Sequence, residues 1–117
     1  IRELAKKPMD HQPSAKYTYG MSTAVLGRAV EVLSGKSFNK FLRKEIFKPL
    51  KMENTRFYLT KSTRKSFQPL SVFEDGNYRA GKPEEDELPY EKDSSLYLGG
   101  EGLVSTLEDY AKFCGLL

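Results

Sequence analysis

A mainly α fold carrying one short β-hairpin, an α+β chain, is predicted by three observations. Apolar residues recur at helical spacing in two adjacent segments and again near the C-terminal end. An Asp75-Gly76 pair separates two short β-prone runs, and serine, glycine and proline stand where helices have to start and stop. In the first segment Val25, Leu26, Ala29, Val30 and Leu33 fall at i, i+1, i+4, i+5 and i+8, which is one face of a helix running from Met21 to Leu33. Ser34-Gly35 is the expected stop, since glycine takes the left-handed conformation after a helix without a Cβ penalty. A second helix is expected from Ser37, a good N-cap, with Phe38, Phe41, Leu42 and Ile46 on one face. It should end near Phe47, because Pro49 disfavours a helical conformation at Lys48.

Beyond Met52 the texture becomes β-prone in three runs, Thr55 to Thr60, Leu70 to Phe73 and Asn77 to Ala80, the last two joined by Glu74-Asp75-Gly76 as a hairpin turn. Gly81 to Lys92, with Pro83, Pro89 and the run Glu84-Glu85-Asp86-Glu87, reads as a solvated loop, since adjacent carboxylates repel and bury nothing. The cluster Gly99-Gly100-Glu101-Gly102 leads into a third helix. Its expected start is an S-x-x-E capping box at Ser105, and its apolar stripe is Leu107, Tyr110, Ala111, Cys114 and Leu117, with Cys114 a buried core thiol.

Composition narrows the function classes. Nineteen Lys and Arg against 16 Asp and Glu leave a formal charge of +3, and the basic residues are spread along the chain and interleaved with acids. That is a mixed-charge solvated surface and not the basic stripe of a nucleic-acid binder. The longest stretch without a charge, Tyr17 to Gly27, has 11 residues, short of the roughly 18 that would span a bilayer. One cysteine and one histidine, far apart, supply neither an intrachain disulfide nor a Cys/His zinc site, and the acidic run offers adjacent rather than converging carboxylates, so no metal site is expected. A single unpaired cysteine fits the cytoplasm of a bacterium or its periplasm and cell envelope equally. The opening Ile1-Arg2-Glu3-Leu4 reads as the inside of a helix and not as a leader, so an internal segment of a longer protein is expected.

Nucleophilic chemistry has few candidates. A Ser-His-Asp arrangement would have to use His11, which sits in a polar turn before Pro13. Two Ser-x-x-Lys matches exist, Ser37 to Lys40 and Ser62 to Lys65, about as many as chance gives. Ser37 reads better as a cap, and Ser62 lies in what reads as a cationic loop. The segment Tyr17-Thr18-Tyr19-Gly20-Met21 is more informative. Two tyrosines at spacing two share a side of an extended strand that turns at Gly20 into a helix. They are either packing residues or hydroxyls presented at the end of a rigid element. Gly99 and Gly100 either line a cleft, where a missing side chain lets a ligand reach backbone, or permit a sharp loop.

Four blocks in order, Pro13 to Gly27, Glu31 to Phe38, Ile46 to Phe57 and Gly99 to Phe113, resemble the serine β-lactamase-like and penicillin-binding-protein-like superfamily. The nearest branch is the class C β-lactamase-related esterases. The resemblance implies an acyl-transfer serine hydrolase, with this chain as a single partial domain: the helical lobe of the β-lactamase/transpeptidase-like fold, packed on a remaining lobe that lies outside the chain. The superfamily's Ser-x-x-Lys lies upstream and its Lys/His-Thr/Gly-Gly motif downstream. Its Tyr-x-Asn motif falls on Tyr19, implying a catalytic tyrosine, either a phenolate held by neighbouring ammonium groups or a neutral proton shuttle. The third motif position is Met21. Losing the asparagine amide weighs against β-lactam hydrolysis and favours an ester. Met21, Gly99 and Gly100 are implied substrate-binding positions, and the substrate a small ester, β-lactam or peptidyl molecule, with no cofactor. A D-alanyl peptidase, or a non-catalytic binding or scaffold member, is the alternative.

Overall fold

The computed structural model describes residues 3–68, 70–82, 85, 90–92 and 96–116. After a 3₁₀ turn at Leu4–Lys6, the chain forms α1 (Ser22–Ser34) and α2 (Phe38–Leu42), the latter prolonged by a π-helical turn at Arg43–Phe47. Then come α3 (Lys61–Ser66), the strands β1 (Ser71–Glu74) and β2 (Asn77–Ala80), and α4 (Leu107–Cys114). The α+β expectation holds.

The local signals behave unevenly. Gly35 ends α1 at φ 66°, as its composition requires, and Ser37 caps α2 by accepting from the Lys40 N–H. The second helical unit does end at Phe47, but Lys48 keeps helical angles despite Pro49. What turns the chain is a Schellman motif. The Met52 N–H reaches the Phe47 carbonyl at 2.8 Å, the Lys51 N–H reaches that of Lys48 at 3.1 Å, and Lys51 takes the left-handed position at φ 55°. Phe47 and Met52, at the positions where the motif usually places its apolar pair, are both buried.

The hairpin is antiparallel, with Phe73 opposite Tyr78 and ring centroids 5.0 Å apart. Asp75 and Gly76 both have positive φ, the signature of a type I′ turn. Thr55 to Thr60 is not a strand: it makes an isolated Arg56–Val104 bridge, whose partner segment turns into α4 three residues later, and a separate Leu59 N–H bond to the Tyr90 carbonyl at 3.0 Å. Ser62 lies on α3, not in a loop, and the helix is capped by a reciprocal Thr60–Thr63 box. Of the acidic run, Glu85 is described: it bonds the Arg79 guanidinium at 2.9 and 3.0 Å and the Lys82 N–H at 2.7 Å, which together hold its carboxyl down at about 2. Glu84, Asp86 and Glu87 lie outside the described residues.

The core is small. Ala24, Phe47, Met52 and Phe57 are buried, and the rings of Phe38 and Tyr97 flank Phe57 at 6.0 and 5.1 Å. Each such aromatic pair adds about 0.5–1.5 kcal/mol beyond area burial. Two expected faces are corrected. On α1 the buried positions are Ala24 and Gly27, while Val25, Leu26 and Leu33 are exposed, Leu33 to 88%. On α4 the N-cap is Thr106, accepting from the Asp109 N–H, one residue later than the expected box. Leu107, at 89% exposure, Tyr110 and Cys114 face solvent, so Cys114 is not a core thiol. Leu117, the last member of that stripe, is outside the described residues.

Candidate functional site

The segment before α1 carries Tyr19. The chain leaves Ser14, a non-glycine residue at φ 68°, and runs through Tyr17 and Tyr19 to Gly20 without regular secondary structure. It enters the helix at Met21, whose carbonyl accepts the Val25 N–H at 3.0 Å. His11 braces this segment. With its Nδ1–H donating to the Gln12 carbonyl at 2.9 Å, its Nε2 accepts from the Thr18 hydroxyl at 3.0 Å. Both ring nitrogens are thus engaged in the turn, which is the role its polar setting suggests. Tyr19 itself projects outward at 90% exposure, Tyr17 stands beside it almost equally exposed, and Met21 is half exposed.

Gly99 and Gly100, eighty residues further along, lie against the turn of α1 that follows Tyr19. A Cβ on Gly99 would collide with the Thr23 carbonyl oxygen and stand 3.0 Å from the Gly27 nitrogen, and one on Gly100 would collide with Thr23 Oγ1. Gly27 completes the contact from the helix side, since its own Cβ would stand 3.0 Å from the Gly99 nitrogen. Three glycines therefore let two backbones touch, which aligns the Gly99-Gly100 loop with the helix start that bears Tyr19 and Met21. Sequence reasoning missed Thr23 and Gly27. The available signal was Gly27 itself, a glycine inside a helix at a cost of about 1 kcal/mol relative to alanine, which calls for a packing reason.

A second long-range contact holds the loop's far end. Asp109 on the first turn of α4 is 1% exposed; it accepts from the Asn54 N–H at 2.7 Å, the Thr55 hydroxyl at 3.1 Å and Lys112 Nζ at 2.9 Å. Burial pushes its carboxyl upward, but Lys112 and the Asn54 and Thr55 donors outweigh this and hold it below the ordinary aspartate value of 3.8. Thr55 Oγ1 also lies 2.7 Å from Ser105 Oγ, and Arg56 exchanges both backbone bonds with Val104, so residues 104–109 are pinned to the 54–56 segment.

The two Ser-x-x-Lys matches do not form nucleophile pairs. Ser37 is a cap, and the Ser62 hydroxyl lies 3.0 Å from Thr60 Oγ1. Among the described residues no group of three His, Cys, Asp or Glu side chains converges as metal ligands, and no helix is long and apolar enough to cross a membrane.

The chain matches the family described as Beta-lactamase over residues 1–117, and it belongs to that family. It is 34% identical over 70 residues to the N-acetylmuramyl-L-alanine amidase of Bacillus subtilis (strain 168), covering 59% of this chain and 15% of that protein. It is 33% identical over 58 residues to the lovastatin esterase of Penicillium rubens, covering 50% of this chain and 14% of the esterase. A Mycobacterium tuberculosis protein matches along the whole chain at 27% identity, with 29% of its own length covered. The matched segments cover less than a third of each of these relatives.

Proposed function

We propose that this chain is the helical lobe of a serine hydrolase that works through an acyl-enzyme on a small ester or amide, with Tyr19 as its general base. The observation that carries the reading is the packing of Gly99-Gly100 on the first turn of α1. It puts a side-chain-free backbone edge next to the helix start that presents Tyr19 and Met21. In the proposed reaction a serine hydroxyl from the remaining lobe attacks the substrate carbonyl as Tyr19 takes its proton. The tetrahedral intermediate expels the alcohol or amine, which takes up that proton, and water then releases the acyl group by the same route in reverse. Met21 offers an apolar wall where an asparagine would offer an amide. This supports an ester in preference to a β-lactam, and the names of the two relatives, an esterase and an amidase, fit that substrate range.

The test uses the full-length protein, a short-chain aryl ester and a chromogenic cephalosporin. The ester is expected to be the better substrate, and Tyr19→Phe to lower kcat by at least ~10²-fold, the low end for a general base. A phenylalanine variant that turns over the ester at the parent rate would remove Tyr19 from the mechanism.

A further inference from the structure

A cavity of about 340 Å³ opens between α2 with its π turn and the extended segment 53–58. It shares no residue with the Tyr19 region. Its floor is apolar, built from the buried Phe47 and Met52, and its walls carry Arg43, Lys48, Lys51 and Arg56 against one carboxylate, Glu53. Four cations and one anion leave a local charge of +3. Among the described residues none of these five side chains forms an ion pair, whereas Lys36, Lys44 and Arg79 all find a glutamate. Uncompensated like charges around a concavity raise the local concentration of anions.

Two features of the backbone aim this charge. Lys51 occupies the left-handed position of the Schellman motif, where glycine is the residue without a steric cost, so a cation stands at the cavity edge at the expense of backbone strain. Arg43 opens the π turn, whose wider winding changes the direction of the side chains that follow the regular helix. Arg56 is held in place by donating one guanidinium N–H to the Glu53 carbonyl, and it stands over the Tyr58 ring, 5.9 Å from the centroid, with its other N–H groups left for a ligand.

We infer that this cavity binds a small organic phosphate. A phosphate monoester carries about −1.5 to −2 charges at neutral pH, which matches the excess positive charge better than a carboxylate does. The guanidinium groups of Arg43 and Arg56 supply forked donors for its oxygens. The Met52 and Phe47 floor accommodates a compact apolar body, and the volume lies at the small end of ligand sites, which run from ~300 Å³ upward.

Calorimetric titration of the full-length protein with phenyl phosphate tests the inference. Saturable binding at or below ~1 mM is expected at low salt. It should weaken several-fold at ~0.3 M salt as the charges are screened. Inorganic phosphate, lacking the apolar body, should bind at least ~5-fold more weakly. Lys51→Gly should weaken phenyl phosphate at least ~5-fold by removing a cation, while raising Tm by ~2 °C through relief of the left-handed lysine and leaving ester hydrolysis unchanged. That combination distinguishes a lost ligand contact from a damaged fold. Arg43→Ala should weaken binding similarly, and Tyr19→Phe should not affect it. No saturable binding at ~1 mM, or an affinity that both Lys51→Gly and Arg43→Ala leave intact, would overturn the proposal.

Discussion

Asp109 carries more of this small fold than its size suggests. Its carboxylate joins α4 to Asn54 and Thr55 across more than fifty residues and is the most deeply buried side chain among the described residues. Replacing it with alanine leaves the Asn54 N–H without its acceptor and the Lys112 ammonium with the Lys51 carbonyl but no carboxylate, at an expected cost of about 3 kcal/mol, read as a lower denaturant midpoint. Because its pKa is lower in the folded state than unfolded, its contribution is complete above the ordinary value of 3.8 and is lost as pH falls below it. Acid unfolding of Asp109→Asn should therefore depend less on pH below 3.8 than that of the parent, as followed by circular dichroism. The carboxylate was not legible from the sequence, where Asp109 read only as part of a helix start. Its partners sit on a segment that shares no local pattern with it.

At the scale of elements, the contact between α1 and the Gly99-Gly100 loop is set by absent side chains. Gly99→Ala puts a Cβ into the Thr23 carbonyl, and backbone cannot move aside as a side chain can. A loss of about 1–3 kcal/mol is expected. In the full-length protein, ester hydrolysis should fall even where the variant remains folded, because the loop is displaced from the helix start. An alanine variant with parent activity and Tm would show the contact to be dispensable. The elements themselves were largely readable. The Gly35 stop, the Ser37 cap and the Asp75-Gly76 turn all depend on residues within a few positions of each other. The Schellman turn at Lys51 was not, because its usual glycine is a lysine and the motif is recognised only by its hydrogen bonds.

For the whole molecule, the exposure of Leu26, Leu33, Leu107 and Tyr110, beside a buried apolar core of Ala24, Phe47, Met52 and Phe57, leaves helix faces whose periodicity predicts burial uncovered among the described residues. A tyrosine 90% exposed to water lacks the partly dry surroundings that proton transfer from a serine requires. The 117-residue chain made by itself is accordingly expected to hydrolyse neither the aryl ester nor the cephalosporin, and turnover of either by the purified segment would contradict the reading of Tyr19. The sequence by itself determined the α+β class, the helix starts and stops and the hairpin, since caps, turns and periodicity act over a few residues. It also carried the blocks that mark the family. Only the tertiary structure decided which helix faces are covered, that Asp109 is buried, and that Gly99 and Gly100 meet the turn after Tyr19. Those contacts join residues fifty to eighty positions apart, and steric fit and desolvation act on distance in space, which local patterns do not encode.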